Sequence, residues 1–369
     1  MRGRAGVGRV AGRAVLVLGS ILVMAGAQAE PEAQGIRAQG IPVTGAPRKL
    51  WDARVVRAPA APPLLEGDSL FVAGMDRKIV CLDARSGRSL WKRGLAGSAG
   101  CGLVRADSIL LVGIGPPAPA VIALDCGNGH VRWERRLEAP PAGIVRSGGT
   151  IVVFSYRGDA RGLALADGQE KWQRTLNGPV AGMVSYDGRI LALARTDTLW
   201  SLAAADGKTV WAVPVSGTHA APPVLAGGRV VRLTYEGDLI AHDPSTGLEI
   251  ARGSARAPQI MPPAVRDGAW CVTVATGGEA QGFAFPDLAE GWSRATGETV
   301  AAGPIAAGET WVVACESGEV LGLDSGSGAV VWTMKARRAV SMMPAAGGGR
   351  IAIIDDLGRA IVYSSEGNP

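Results

Sequence analysis

The sequence predicts an all-β fold, an eight-bladed β-propeller of four-stranded antiparallel blades. Three observations lead to this prediction: a Trp that recurs about every 40 residues, strand-and-turn content within each interval, and terminal segments that complement each other. Successive Trp residues stand 40, 42, 39, 39, 81 and 40 positions apart. They are Trp51, Trp91, Trp133, Trp172, Trp211, Trp292 and Trp332.

The unit between two Trp residues consists of strands. From Pro62 to Leu95, aliphatic and β-branched runs of four to seven residues alternate with Gly, Asp and Ser, which is typical of strands and turns. Each unit therefore supplies four strands, A to D. One such sheet cannot bury both of its faces, so the units are expected to stack radially around an axis. The interval of 81 residues is two units in which Ala251 takes the Trp position.

The two ends of the chain look like parts of one blade. Trp51 lies in KLWDARV, a D strand with no A, B or C strand before it, whereas the last unit ends after its C strand. We expect the N-terminal strand to complete the last blade, which removes two exposed sheet edges. Residues 47–369 are therefore predicted to form a single domain of eight blades.

The turn between strands C and D carries the sharpest local motif, of which Asp83 to Gly87 is one copy. An Asp that accepts hydrogen bonds from its own turn and a Gly at positive φ make a tight reversal. The Trp four residues after this Gly is expected to fill the gap between neighbouring sheets while its N–H finds a backbone acceptor. Calcium binding is disfavoured, because the motif lacks the alternating acids and final Glu of a calcium loop.

The N-terminus is predicted to direct export. Four Arg residues and no acid precede an apolar run that ends at Ala27-Gln28-Ala29, so residues 1–29 form a signal peptide and residues 30–46 a flexible segment. The apolar run of about 14 residues is shorter than a membrane span; a retained anchor is the alternative. The expected location is periplasmic or secreted. Without those four charges the formal charge falls from +5 to +1, which does not favour nucleic-acid binding.

Cysteine and histidine offer little for catalysis. The five Cys residues are widely spaced and include no C-x-x-C, so we expect small buried residues, with a Cys81–Cys101 disulfide as the alternative. His130 and His242 adjoin C–D turns and have no ligand partner at metal-binding spacing. No Ser lies in a nucleophile-elbow context, and neither a catalytic residue nor a metal site is predicted.

The unit that ends in D-x-x-x-G-x-x-x-W resembles the repeat of the pyrroloquinoline quinone (PQQ) propeller superfamily from about Pro47 onward. Within it, an exported chain of this length without inserted domains resembles the BamB family of outer-membrane assembly factors. The resemblance implies a non-catalytic envelope scaffold, without a cofactor, that binds a protein partner through its loops. The alternatives are a quinone-dependent oxidoreductase, which would hold PQQ and calcium, and a small-molecule-binding propeller.

Specificity is expected where the blades differ, in the loops of the rim that holds the B–C and D–A connections. Arg is favoured there because it contacts carboxylates at two points. A monomer that binds a protein or an acidic ligand on this rim is predicted, and Trp200, Trp270 and Trp311, which fall outside the repeat register, are candidates for blade-specific roles. The predicted rim residues are Arg157, Arg161, Arg195, His219, Arg337 and Arg338.

Overall fold

The computed structural model describes residues 46–219, 221–256, 258–266 and 269–365. These residues form eight antiparallel sheets of four strands each and no helix, so none of their segments is a helix able to span a membrane. The predicted signal peptide lies outside the described residues. The eight-bladed all-β fold is confirmed.

In each blade, strand A lies nearest the axis, where it contacts the A strands of neighbouring blades, and strand D is the outer edge. The strands A to D of blades 1 to 4 are, in order, β2 Leu64–Glu66, β3 Ser69–Gly74, β4 Lys78–Asp83 and β5 Ser89–Gly94; β6 Val104–Ala106, β7 Ile109–Ile114, β8 Ala120–Asp125 and β9 Val131–Arg136; β10 Pro141–Ser147, β11 Thr150–Ser155, β12 Asp159–Ala164 and β13 Glu170–Thr175; β14 Val180–Tyr186, β15 Arg189–Ala194, β16 Thr198–Ala203 and β17 Thr209–Pro214.

Blades 5 to 7 follow the same order, and blade 8 takes its D strand from the N-terminus. Their strands are β18 Val224–Ala226, β19 Arg229–Leu233, β20 Asp238–His242 and β21 Glu249–Ser254; β22 Ala264–Arg266, β23 Trp270–Val274, β24 Glu279–Ala284 and β25 Ala289–Ala295; β26 Val300–Ala307, β27 Thr310–Cys315, β28 Glu319–Asp324 and β29 Val330–Lys335; β30 Ala345–Gly347, β31 Arg350–Ile354, β32 Arg359–Ser364 and β1 Arg48–Arg54.

Blade 8 closes the ring as the sequence predicts. Strand β1 pairs antiparallel with β32, which places Trp51 opposite Val362. The Asp52 carboxylate accepts a hydrogen bond from the Arg359 guanidinium at 2.5 Å. Because the first and last described strands share one ladder, β32 is paired on both sides and β1 becomes the outer edge of a complete four-stranded blade.

Burial patterns explain why these segments become inner or outer strands. All six residues of β7 are buried, since neighbouring blades cover both faces of a B strand. Strand β9 instead exposes alternate residues, as a half-buried edge strand should. The core is therefore a series of apolar layers between blades, such as the layer in which Phe71 of blade 1 packs with Leu110 of blade 2.

Six of the eight layers are held by a contact between the repeated Trp and a Gly of the next blade. The Trp91 indole N–H donates to the Cys126 carbonyl oxygen of the next blade at 2.8 Å. Its ring lies over Gly129, where an added Cβ would come within 2.5 Å of the indole, and Gly129 has a φ of 72°. Gly is needed there both for the left-handed turn and for the contact with the indole. The same ring-on-Gly contact joins Trp51 to Gly87, Trp133 to Gly168, Trp172 to Gly207, Trp211 to Gly247 and Trp292 to Gly328.

Both residues of the Trp–Gly contact are replaced where blade 5 meets blade 6. Ala251 replaces the Trp of blade 5, and Leu288 replaces the turn Gly of blade 6, at a φ of 59°. The Leu288 side chain is buried in the apolar layer that also includes Ala251. A leucine thus fills the space that an indole fills elsewhere.

The C–D turns and cysteines behave as expected from the sequence. The Asp83 carboxylate accepts the backbone N–H of Ser86 at 2.7 Å, and Gly87 has a φ of 73°. All five Cys residues are free thiols, so the alternative Cys81–Cys101 disulfide is absent. Burial raises the pKa of the Cys101 thiol to about 12.

Candidate functional site

The B–C and D–A loops share one rim, which we call the D–A rim. Arg157 and Arg195 lie exposed in its B–C loops, and Arg337 and Arg338 lie exposed in the D–A loop between blades 7 and 8. None of these four guanidinium groups forms a salt bridge with another described residue. They are therefore available for contact with a partner.

Arg161 differs from the other predicted rim residues. It lies in strand β12, not in the loop, and its side chain is only 12% exposed. Its guanidinium pairs with Glu170 at 2.9 Å and with Glu138 at 3.2 Å. These contacts tie Arg161 to strand β13 of its own blade and to the D–A loop that joins blades 2 and 3.

The structure brings two of the predicted residues together in one cavity. Arg195 and His219 line an open cavity of about 390 Å³ between blades 4 and 5. We call this cavity the notch. It is lined by Arg195, Asp197, Gly217, Thr218 and His219.

His219 is the unusual member of the notch. Its side chain is completely buried, yet neither ring nitrogen has a hydrogen-bond partner among the described residues. The nearest acid oxygen is Oδ1 of Asp197, 3.8 Å from Nε2. Burial, helped by the Arg232 charge, lowers the pKa of His219 to about 4. The imidazole is thus neutral at neutral pH and carries one unused donor and one unused acceptor.

The residues beside His219 are held firmly. Glu236 accepts the Thr218 hydroxyl at 2.5 Å and the Thr218 backbone N–H at 3.0 Å. These hydrogen bonds lower the pKa of Glu236 to about 2, so at neutral pH its carboxylate is ionised and accepts both hydrogen bonds from Thr218. Below the loop, Arg232 donates to the Ser216 carbonyl oxygen at 2.7 Å. The notch wall is therefore preorganised rather than loose.

Comparison of the eight blades shows how exceptional His219 is. Its repeat position lies five residues before strand A in blades 1, 2, 5, 6 and 8, and it is the first residue of the longer A strand in blades 3, 4 and 7. The position is buried in every blade, and it is polar only in blades 5 and 6. The residues at the equivalent positions are Pro59, Ala99, Pro141, Val180, Gln259, Val300 and Val340.

The same two blades break the pattern a second time. The fourth residue of strand B is Arg232 in blade 5 and Thr273 in blade 6, whereas the other six blades have Val, Ala or Ile. Arg232 is only 1% exposed, and its Nε donates to Nε2 of His242 at 3.0 Å. An arginine can only donate, so His242 is neutral with its proton on Nδ1, which donates to the Gly247 carbonyl oxygen at 2.9 Å. His242 is thus a satisfied core histidine, as the sequence suggested.

Asp197, at the mouth of the notch, has a backbone conformation that is uncommon for a residue other than Gly. The residue before each C strand is Gly in five blades, whereas Asp197 occupies this position in blade 4 with a φ of 58°. Residues other than Gly adopt this conformation at a cost, although Asp tolerates it better than most. The Asp197 carboxylate lies exposed at the rim, with Oδ1 3.8 Å from Nε2 of the buried imidazole.

The notch combines polar groups of different charge. The described residues contain no group of three or more His, Cys, Asp and Glu side chains placed to hold a metal ion. The surface of the notch offers a cation and a carboxylate, and the neutral imidazole of His219 is buried in its wall. Such mixed polar groups orient a bound side chain or small ligand.

Sequence reasoning found Arg195 and His219 but missed their partners Asp197, Thr218 and Glu236. Aligning the repeats position by position would have shown His219 and Arg232 as polar residues at apolar positions. The braces on Thr218 depend on loop geometry, which the repeat pattern does not contain.

The off-register Trp residues have mainly structural contacts. Trp311 is fully buried, and its N–H donates to the Ser325 carbonyl oxygen at 3.2 Å. By contrast, the indole N–H of Trp292, which belongs to the repeat series, has no partner among the described residues. Trp200 is half-buried, with the Arg174 guanidinium 5.7 Å from its ring centre. Trp270 lies against Gly291.

The ring of four-stranded blades, its Trp–Gly locks and its terminal clasp define a β-propeller of the PQQ-like repeat class. Two matches to one family profile, over residues 43–185 and 157–368, together span nearly the whole described chain. The protein belongs to that family, which is described as outer membrane protein assembly factor BamB. No curated protein matches the chain significantly.

Solved structures show the same fold at low identity. BamB from Moraxella catarrhalis superposes with a TM-score of 0.73 at 17% identity, over 86% of this chain and all of the other. Sqt1 from Saccharomyces cerevisiae gives 0.73 at 10% identity, over 86% of this chain and 99% of the other. The quinohemoprotein alcohol dehydrogenase from Comamonas testosteroni gives 0.69 at 11% identity, over 87% of this chain and 77% of the other. Likeness at this level concerns the fold alone.

Proposed function

We propose that this protein is a non-catalytic scaffold of the cell envelope that holds a protein partner on its D–A rim, in the service of outer-membrane protein assembly. Membership of the BamB family supports a role in outer-membrane protein assembly. The notch supports the D–A rim as the binding face, because Arg195 and Asp197 meet there and the exposed Arg157, Arg337 and Arg338 lie elsewhere on the same rim.

The observation that carries the proposal is the buried, unpartnered imidazole of His219. Such a group destabilises the folded state by about 1–3 kcal/mol unless something bonds to it. Six other blades fill the same position with an apolar residue, so the fold does not require a polar one. A partner group that binds in the notch and supplies a hydrogen bond to the imidazole would explain the polar residue, and this requires the side chain to become accessible on binding.

The rim arginines define a direct test of the scaffold. Full-length tagged protein would be crosslinked in its native envelope, and the attached proteins would be compared between the wild type and Arg337→Glu/Arg338→Glu. The matched control is Arg85→Glu/Arg88→Glu, which makes the same change of charge in an exposed C–D turn on the opposite rim. We expect the rim variant to lose at least about tenfold of the captured partner, since reversed charges at an interface repel it.

Equal capture by the wild type and both variants would overturn the proposal. The purified protein would also be given PQQ with calcium. A bound quinone absorbance together with a large rise in melting temperature would favour the oxidoreductase alternative, because only a ligand that binds the folded state stabilises it. We expect neither signal.

A further inference from the structure

A second surface concentrates positive charge away from the notch. Where blade 8 meets blade 1, an open groove of about 450 Å³ runs between the end of β1 and the outer strands of blade 1. We call it the closure groove. It is lined by Arg54, Val55, Val56, Arg57, Asp76, Lys78, Val80, Lys92, Arg93 and Gly94.

The charges of the closure groove are unbalanced. The guanidinium of Arg93 turns away to donate to the Gly129 carbonyl oxygen of blade 2. Four other cationic side chains remain, those of Arg54, Arg57, Lys78 and Lys92, and all of them are exposed. They face a single carboxylate, which is Asp76 and pairs with Lys78 at 3.3 Å.

The repeat comparison shows that this charge is specific to the closure. The first residue of strand C is acidic in four blades, namely Asp159, Asp238, Glu279 and Glu319. It is cationic only in blade 1, with Lys78, and in blade 8, with Arg359. The sign is thus reversed in the two blades that flank the closure groove.

The shape of the groove favours an extended chain. Its floor is apolar, with Val56 and Val80 buried and Val55 half-buried. One wall is β5, an edge strand whose outer backbone groups have no neighbouring strand in the sheet. An added side chain at Gly94 would meet no atom within 4 Å, so space is open beside this strand. Extended peptides bind such edges through their main chain, and their alternate side chains provide specificity.

We propose that the closure groove binds an acidic, extended segment of a partner polypeptide. Carboxylates at alternate positions of the segment would point to one face and meet the Arg and Lys side chains that border the valine floor. The cations lie on three separate chain segments that line the groove, and binding of a lone phosphate is distinguished experimentally from binding of an extended chain. The inference rests on the proposed scaffold function and adds the chemistry of one partner segment.

Peptide binding to the purified full chain tests the inference. The probe is a fluorescent ten-residue peptide of alternating Glu and Val, followed by anisotropy, and the control peptide has Gln in place of Glu. We expect the Glu peptide to bind, the Gln peptide to bind at least about tenfold more weakly, and the affinity to fall as salt screens the charges.

Variants locate the site. Lys78→Glu/Lys92→Glu should weaken binding about tenfold or more, and Lys78→Gln/Lys92→Gln should fall between this variant and the wild type. Arg88→Glu/Lys208→Glu reverses two exposed charges on the opposite rim and should bind like the wild type. Unchanged melting temperatures would show that the variants are folded.

Three outcomes would overturn the inference: equal binding of both peptides, equal loss in the groove and control variants, and binding only of inorganic phosphate or of vesicles with anionic lipid. None of these measurements uses an envelope partner. Failure here therefore leaves partner capture through Arg337 and Arg338 untouched, and failure of that capture leaves peptide binding untouched.

Discussion

Replacing His219 by Val should stabilise the protein while it weakens partner binding. In the wild type, both ring nitrogens of His219 lack hydrogen-bond partners in the described part of the chain, and the side chain is fully buried. An unpaired buried polar group costs about 1–3 kcal/mol. Val occupies the equivalent buried position in blades 4, 7 and 8, so it fits the surrounding backbone.

The expected gain can be worked out. Val is smaller than His, and the small cavity offsets part of the relief, which leaves about 1–2 kcal/mol of added stability. At roughly 2.1 cal/mol/K per residue, the described chain of about 320 residues unfolds with an entropy near 0.7 kcal/mol/K. Calorimetry at pH 7.5 should therefore show a melting temperature about 1.5–3 °C higher.

Acid should widen the difference. The pKa of His219 is about 4 in the folded protein and about 6.5 in an unfolded chain, so between these values the unfolded state binds more protons. Wild-type stability therefore falls as the pH drops from 6.5 toward 4, and His219→Val lacks this loss. At pH 5 we expect the gap between the two proteins to grow by about 1–2 kcal/mol, as the two pKa values require.

Exposed His130 provides the control. His130→Val should change the free energy of unfolding by less than about 0.5 kcal/mol at either pH. A His219→Val variant that is less stable than the wild type by more than about 1 kcal/mol, or a gap that does not widen in acid, would refute the reasoning. Either result would show that the imidazole is satisfied in the folded protein.

Three further predictions concern the ring. Gly129→Ala should destabilise the protein by about 1–3 kcal/mol more than Gly188→Ala, because both have similar positive φ but only the first added Cβ meets an indole; equal losses in urea unfolding would contradict this. We expect each of the single variants Ala251→Trp and Leu288→Gly to destabilise the protein. The double variant should recover about 0.5–3 kcal/mol of stability, because the two residues share one apolar layer. Additive losses in the double variant would contradict this prediction. The five thiols should react with a disulfide reagent slowly in the native protein and fully after unfolding, since burial raises their pKa values; rapid native reaction, or fewer than five thiols after unfolding, would argue against this packing.

The fold could be predicted because it repeats. The Trp and the turn Gly recur at a nearly fixed spacing, and this repetition excludes a chance match. The strand around Trp51 indicated how the ring closes, since it pairs with the last strand of the final blade. The replacement at Ala251 was visible in the spacing. Its compensation by Leu288 was not, since it depends on contact between neighbouring blades.

The site was predictable only in part. Arg195 and His219 could be placed on the D–A rim from loop topology, but their meeting in one notch depends on how blade 4 faces blade 5. The position of Arg161 in the sequence predicts the same rim, whereas its pairing with Glu138 and Glu170 depends on the folded structure. Loop geometry and ion pairing vary from blade to blade, so the repeat pattern does not encode them.

The central claim is that the D–A rim is the face that holds a partner, and a photo-crosslinking amino acid placed on either rim tests it most directly. Thr218 marks the exposed edge of the notch, and Lys208 marks an exposed turn of the opposite rim in blade 4. In the native envelope, the probe at position 218 should give a discrete crosslinked partner band and the probe at position 208 should give none. A partner band from position 208 alone, or the same band from both, would contradict the account.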